Sequence, residues 1–166
     1  MSLHTDHTYN ILRIIPGTTA DGPGLRTAVY MAGCAHRCPG CHNPQSHAPD
    51  AGTLMSLSDI ISRIKDEDFD VTLTGGDPLY APVSLIPLIS AIKDAGYNIW
   101  LYTGFSWEEI MRDSKLTDAV SYADVLVDGR YEESLRDTSL RFRGSSNQRL
   151  IQVSPSLKAD KIILYN

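Results

Sequence analysis

The chain has 166 residues and a mass of 18.3 kDa, enough for one domain with its own core and too little for two of usual size. With 42% hydrophobic and 21% charged residues, the composition excludes a disordered chain. A formal charge of −5 and a pI near 5.4 exclude a general nucleic-acid binder, and no apolar run approaches the roughly 18–20 residues of a membrane span. Met1 to His7 carry neither a basic flank nor an apolar stretch, so no signal peptide is expected and the chain is read as cytoplasmic. No linker or internal repeat divides it, and residues 1–166 are expected to form one domain.

In chain order, Tyr9 to Ile15 and Leu25 to Met31 read as strands, separated by the turn chemistry of Pro16-Gly17 and Asp21-Gly22-Pro23-Gly24. Residues 33–44, with Gly33, Pro39, Gly40 and Pro44, must be a loop. Leu57, Ile60, Ile61 and Ile64 recur at helical spacing behind Ser56, a good N-cap. Val71 to Thr74 is a short strand ending in Gly75-Gly76-Asp77-Pro78. Leu85, Ile86, Ile89 and Ile92 mark the next helix, closed by Gly96. Ile99 to Tyr102 is a strand, Ser106-Trp107-Glu108-Glu109 a capping box, and Ala123 to Val127 another strand. Arg149 to Val153 and Lys161 to Leu164 read as later strands. Strands and helices alternating in this way predict a parallel α/β sheet, with functional groups gathered at the C-terminal strand ends.

All three cysteines lie within Gly33-Cys34-Ala35-His36-Arg37-Cys38-Pro39-Gly40-Cys41-His42-Asn43-Pro44. An odd count crowded into one loop points to metal or redox chemistry rather than disulfides. The spacing is open to four readings. Zinc needs a fourth ligand, for which His36 or His42 could serve. Cys38-Pro39-Gly40-Cys41 has the form of a thiol redox pair but leaves Cys34 unexplained. Cys38 to His42 also spells the attachment site of a c-type haem, a chemistry that needs export. A [4Fe–4S] cluster held by three thiolates uses all three and leaves one iron open to a small molecule. In Thr74-Gly75-Gly76-Asp77-Pro78, paired glycines at a strand end let backbone groups approach a ligand closely, although a plain tight turn would look the same.

The two motifs together, some forty residues apart, resemble the radical S-adenosylmethionine superfamily. Asp21-Gly22-Pro23-Gly24, Trp100 to Phe105, Asp124 to Arg130 and Arg143 to Gln148 narrow the resemblance to the anaerobic ribonucleotide reductase activating proteins, a group of glycyl-radical-enzyme activases. The Pro39-Gly40-Cys41 form, where the wider superfamily often has an aromatic residue before the last cysteine, resembles this group in particular.

The resemblance implies a partial, open (β/α) barrel, shorter than the roughly 250 residues of a complete one. It implies that Cys34, Cys38 and Cys41 bind a [4Fe–4S] cluster whose open iron is chelated by S-adenosylmethionine. Reductive cleavage of that cofactor then leads to a glycyl radical on an anaerobic ribonucleoside-triphosphate reductase. An electron donor such as flavodoxin or ferredoxin is implied as a second partner. Gly40, Cys41 and His42 are expected against the cofactor, Gly75, Gly76 and Asp77 around its methionine moiety, and Thr103 and Asp128 at an adenosine pocket or cation site. Activation of another glycyl-radical enzyme, radical chemistry on a small molecule, and a zinc or thiol redox module are the alternatives.

Charge is uneven. Residues 1–129 hold 8 Lys/Arg against 16 Asp/Glu, whereas residues 130–166 hold 7 against 4. Arg130, Arg136, Arg141, Arg143 and Arg149 therefore form a candidate docking face for the reductase. Gly17 to Gly22 is superficially like a phosphate-binding loop, but Pro23 stands where its lysine belongs.

Overall fold

The computed structural model describes residues 6–166; Met1 to Thr5, part of the segment read for a targeting signal, lie outside the described residues. The strands are β1 (Thr8–Thr18), β2 (Arg26–Met31), β3 (Thr53–Ser56), β4 (Asp70–Gly75), β5 (Ile99–Tyr102), β6 (Val125–Asp128) and β7 (Arg149–Gln152). They form one sheet in the order β3-β1-β2-β4-β5-β6-β7. The centre, β2-β4-β5-β6, is parallel, and the flanking β1, β3 and β7 pair antiparallel. The expected α/β class and open barrel therefore stand, with antiparallel margins added to the parallel core.

Burial on both faces explains the apolar central strands. Val71, Leu73, Ile99, Leu101 and Leu126 face the helices, whereas Trp100, Val125 and Val127 face the other side with Tyr102, Phe142, Leu150 and Tyr165. The helices are α1 (Leu57–Glu67), α2 (Pro82–Asp94), α3 (Trp107–Met111), α4 (Ser114–Val120) and α5 (Val153–Ala159). Ser56 caps α1 by accepting from the Asp59 N–H, and Ser106 with Glu109 forms the predicted capping box of α3. In α2 the fully buried positions are Leu85, Leu88, Ile89 and Ile92, with Ile86 only half-buried. Among the described residues no helix is long and apolar enough to cross a membrane.

Two expectations change. Lys161 to Leu164 is not a strand: it makes one isolated bridge to β7, Leu164 to Ile151, and the Ile163 N–H donates to the Ser156 hydroxyl of α5 at 2.9 Å rather than to a strand partner. Val153, read as the end of a strand, instead begins α5.

Since β2, β4, β5 and β6 run the same way, the segments leaving them emerge along one edge. These are the cysteine loop after Met31, Gly75-Gly76-Asp77, Thr103-Gly104 and Gly129.

Candidate active site

A cavity of about 230 Å³ opens where these segments meet. Cys34, Cys38 and Cys41 line it from the loop after β2, Gly75 and Gly76 from the end of β4, Thr103 and Gly104 from the end of β5, and Gly129 from the end of β6. The three cysteines are half-buried and free of disulfides. Burial raises the Cys34 thiol above its ordinary value, and the charges of Asp77 and Cys38 add to this against the opposing N–H groups of His36 and Arg37.

The donor set is all sulfur, which suits iron–sulfur chemistry. Among the described residues no three His, Cys, Asp or Glu side chains converge as the ligands of a single ion would. All three thiols line the same cavity. Of the two histidines considered as a fourth ligand, His36 is engaged with Asp77 at 2.6 Å, and His42 is exposed with its ring 5.1 Å from that of Tyr131.

The glycine motif does more structural work than its sequence suggests. The Gly76 N–H donates to Met31 O at 2.8 Å and the Asp77 N–H to Gly33 O at 2.7 Å, so the first amide ties the turn to the end of β2 and the second to the cysteine loop. A Cβ on Gly76 would lie 2.5 Å from Gly33 O and 2.9 Å from Ser46 O. Close approach between two loops thus demands this glycine. No hydrogen bond among the described residues takes the Gly76 carbonyl, leaving it available to the cavity.

Asp77 is almost fully buried. Its Oδ1 accepts from Leu79 N at 2.8 Å, and its Oδ2 from Thr103 Oγ1 at 2.9 Å and Gly104 N at 3.0 Å, besides His36. It acts from behind the cavity wall rather than in its lining. His42 and Thr103 do line the cavity, while Gly40 is exposed outside it, at φ +76° against Glu133.

Asp128 stands apart from the other candidates. Its Oδ2 accepts from Trp107 N at 2.8 Å and Arg149 Nη2 at 2.6 Å, and its Oδ1 from Arg149 Nε at 3.1 Å. The carboxylate is spent on capping α3 and joining β7, and does not line the cavity.

Three further residues of the wall shape its rim, and His36 also lines the cavity. Tyr102 lines it and donates its hydroxyl to Phe142 O. Tyr131 sets its ring at a tilt beside that of His42. The Gln148 side chain gathers the rim by donating to Gly129 O and accepting from Gly144 N and Ser145 N. Gln148 was visible only as part of the Arg143-to-Gln148 motif, and nothing local signalled its carboxamide role.

The arginine stretch divides. Arg130 pairs with Glu109, Arg149 with Glu108 and Asp128, and Arg143 turns inward to Gln148 O. Arg136 and Arg141 remain exposed, the latter over the Phe142 ring at 4.7 Å.

Comparison with known proteins accords with this architecture. Residues 20–151 match a family model described as a 4Fe–4S single cluster domain. The structure of QueE from Escherichia coli superposes with a TM-score of 0.51 at 15% identity, covering 73% of this chain and 70% of that one, a likeness of fold alone. The anaerobic ribonucleoside-triphosphate reductase-activating protein of Enterobacteria phage T4 is 36% identical over 149 residues, covering 85% of this chain and 92% of the relative. Its counterparts in Pasteurella multocida and Escherichia coli are 34% and 33% identical, each across 84% of this chain and 94% and 96% of the relative. The chain belongs to the family of anaerobic ribonucleoside-triphosphate reductase-activating proteins, and its cysteine loop lies in the stretch that matches the 4Fe–4S single cluster domain.

Proposed function

We propose that this chain activates an anaerobic ribonucleoside-triphosphate reductase by placing a glycyl radical on it. The observation that carries the reading is the meeting of three free thiols and the glycine turn of β4 in one open cavity at the strand ends. Cys34, Cys38 and Cys41 are the ligands of a [4Fe–4S] cluster, with S-adenosylmethionine beside it. When bound, the pair supplies one-electron reductive cleavage of a carbon–sulfur bond and the power to remove hydrogen from a glycine backbone.

The chain's own part is geometric. The Gly76 carbonyl, taken by no hydrogen bond among the described residues, would be the acceptor for the cofactor, while the Asp77 amide holds the cysteine loop and the Gly76 amide the end of β2. Thr103 Oγ1 is anchored on Asp77 and in turn accepts from Phe105 N, which keeps the β5 end fixed at the cavity wall. Tyr131 and Gln148 form the rim through which a partner's glycine segment enters. Residues 1–166 work as one domain, in the cytoplasm, with a flavodoxin- or ferredoxin-type electron donor. Arg136 and Arg141 are the exposed cations offered to the reductase.

The test is anaerobic reconstitution with iron and sulfide, followed by dithionite and S-adenosylmethionine. Release of methionine and 5′-deoxyadenosine is expected, with a glycyl-radical doublet in the EPR spectrum once the reductase is added. Arg136→Glu with Arg141→Glu lowers the doublet more than it lowers 5′-deoxyadenosine release. Stoichiometric zinc without iron uptake, or no cleavage by a fully loaded and reduced protein, overturns the reading.

A further inference from the structure

Two of the three proposed cluster ligands, Cys38 and Cys41, sit in a stretch that the sheet scarcely holds. The entry to the loop is firmly fixed by main-chain bonds: Gly33 N to Ser46 O at 2.7 Å, Asp77 N to Gly33 O at 2.7 Å, and Cys34 N to His47 O at 3.2 Å. Beyond Cys34 this support ends. Among the described residues, one hydrogen bond joins residues 35–42 to the chain outside residues 34–43, and it is His36 Nε2 to Asp77 Oδ2 at 2.6 Å.

The contact is built rather than incidental. The side chains of His36 and Asp77 are 6% and 1% exposed. The His36 ring packs edge-on against Phe105 with centroids 4.6 Å apart. A Cβ on Gly104 would lie 2.5 Å from that ring, so the end of β5 is shaped to receive it. Asp77 already accepts from Leu79 N, Thr103 Oγ1 and Gly104 N. A carboxylate surrounded by donors takes a fourth donor, which places the hydrogen on Nε2 of His36. One buried carboxylate thereby joins the cysteine loop to the ends of β4 and β5. Directly after His36 the chain reverses through Arg37 at φ +51°, so the tether fixes the point from which Cys38 is presented.

We propose that His36 is a positioning residue of the cluster site: through Asp77 it sets the Cys38–Cys41 half of the loop against the Gly75-Gly76 turn and the end of β5. The proposal rests on the reading of the three thiols as cluster ligands. Partners behind a metal site that orient its ligands typically govern about 10–100-fold in metal affinity, and the isolation of this stretch puts His36 in that role.

Two variants separate the N–H from the ring. His36→Phe keeps an aromatic ring against Phe105 and removes the donor, whereas His36→Gln keeps an N–H within reach of Asp77. Each protein is reconstituted anaerobically. Iron release to a chelator is then followed well below the melting temperature of the metal-free form. The EPR spectrum of the reduced cluster is recorded before and after S-adenosylmethionine. His36→Phe is expected to release iron about tenfold faster or more than the unaltered protein and to blunt the cofactor-induced spectral change, and His36→Gln to restore most of both. Where His36→Phe fails to fold, His36→Asn, whose amide is one methylene short of Asp77, replaces it. Iron release at the unaltered rate from the donor-less variant, or equal loss in donor-less and Gln variants, overturns the proposal. Absence of any cluster from the unaltered protein overturns the underlying reading instead, so the two failures are distinct.

Discussion

At the scale of single residues, Gly76 shows how a glycine can serve a cofactor site through the protein's own packing. Its missing side chain makes room for Gly33 O and Ser46 O, which belong to the loop that carries the thiols. Gly76→Ala therefore pushes the loop off β4 before it touches any ligand. The expected cost is about 1–3 kcal/mol, as for other overpacked sites, together with lowered iron retention. Chemical unfolding of the metal-free protein and an iron assay of the loaded one check this pair of effects. Unchanged unfolding with weakened S-adenosylmethionine binding would place the glycine's role in ligand approach after all. Arg26 gives a second example of a residue whose purpose only the fold displays. It is 1% exposed and donates to Thr72 Oγ1 at 2.9 Å, Val71 O at 2.8 Å and Asn98 Oδ1 at 3.0 Å, so that a cation is carried inside the sheet by neutral acceptors. Burial lowers its pKa, with Asp70 the largest opposing influence.

Between elements, Arg149 of β7 binds Asp128 of β6 and Glu108 of α3. Arg149→Met leaves Asp128 buried without its cation, and a loss of about 3 kcal/mol is expected at neutral pH. The hydrogen bond from Arg149 also holds Glu108 down at about 2 from its ordinary 4.5. A depressed carboxyl contributes stability above its unfolded value and loses it as pH falls through its folded one. The stability gap between unaltered and Met proteins should therefore narrow only slightly between about pH 4.5 and 2, because Glu108 is half exposed. Urea unfolding at pH 7 and pH 3 measures it.

What the sequence disclosed at this scale follows from how local each signal is. The Ser56 cap with Leu57, Ile60 and Ile64, and the capping box at Ser106, are contained within one or two turns and could be read directly. β3 could not, because Thr53–Ser56 is largely exposed and becomes a strand only by pairing with Thr8–Ile11. The apolar run before Tyr165 imitates a strand, but its Ile163 N–H donates to a serine hydroxyl rather than to a strand partner. The three cysteines share eight residues and stood out by their spacing as a candidate metal or redox site, whereas His36 and Asp77, forty-one residues apart, meet only because β2, β4 and β5 are neighbours.

For the molecule as a whole, the distribution of the core separates folding from loading. The buried apolar residues come almost entirely from the strands and helices, and none of the three cysteines is among them. Where ligands come from distant elements, metal binding is itself folding free energy and removal of the metal denatures the protein. Here one loop supplies every thiol, so the metal-free chain is expected to keep its sheet. Far-ultraviolet circular dichroism and a cooperative melt of chelator-treated protein should closely match those of the loaded form, and a melt lost with the iron would contradict this. A consequence follows for a cluster held in this way: its loss is expected to remove a replaceable part and leave the scaffold standing. The same polypeptide is then expected to take up iron and sulfide again without first having to refold.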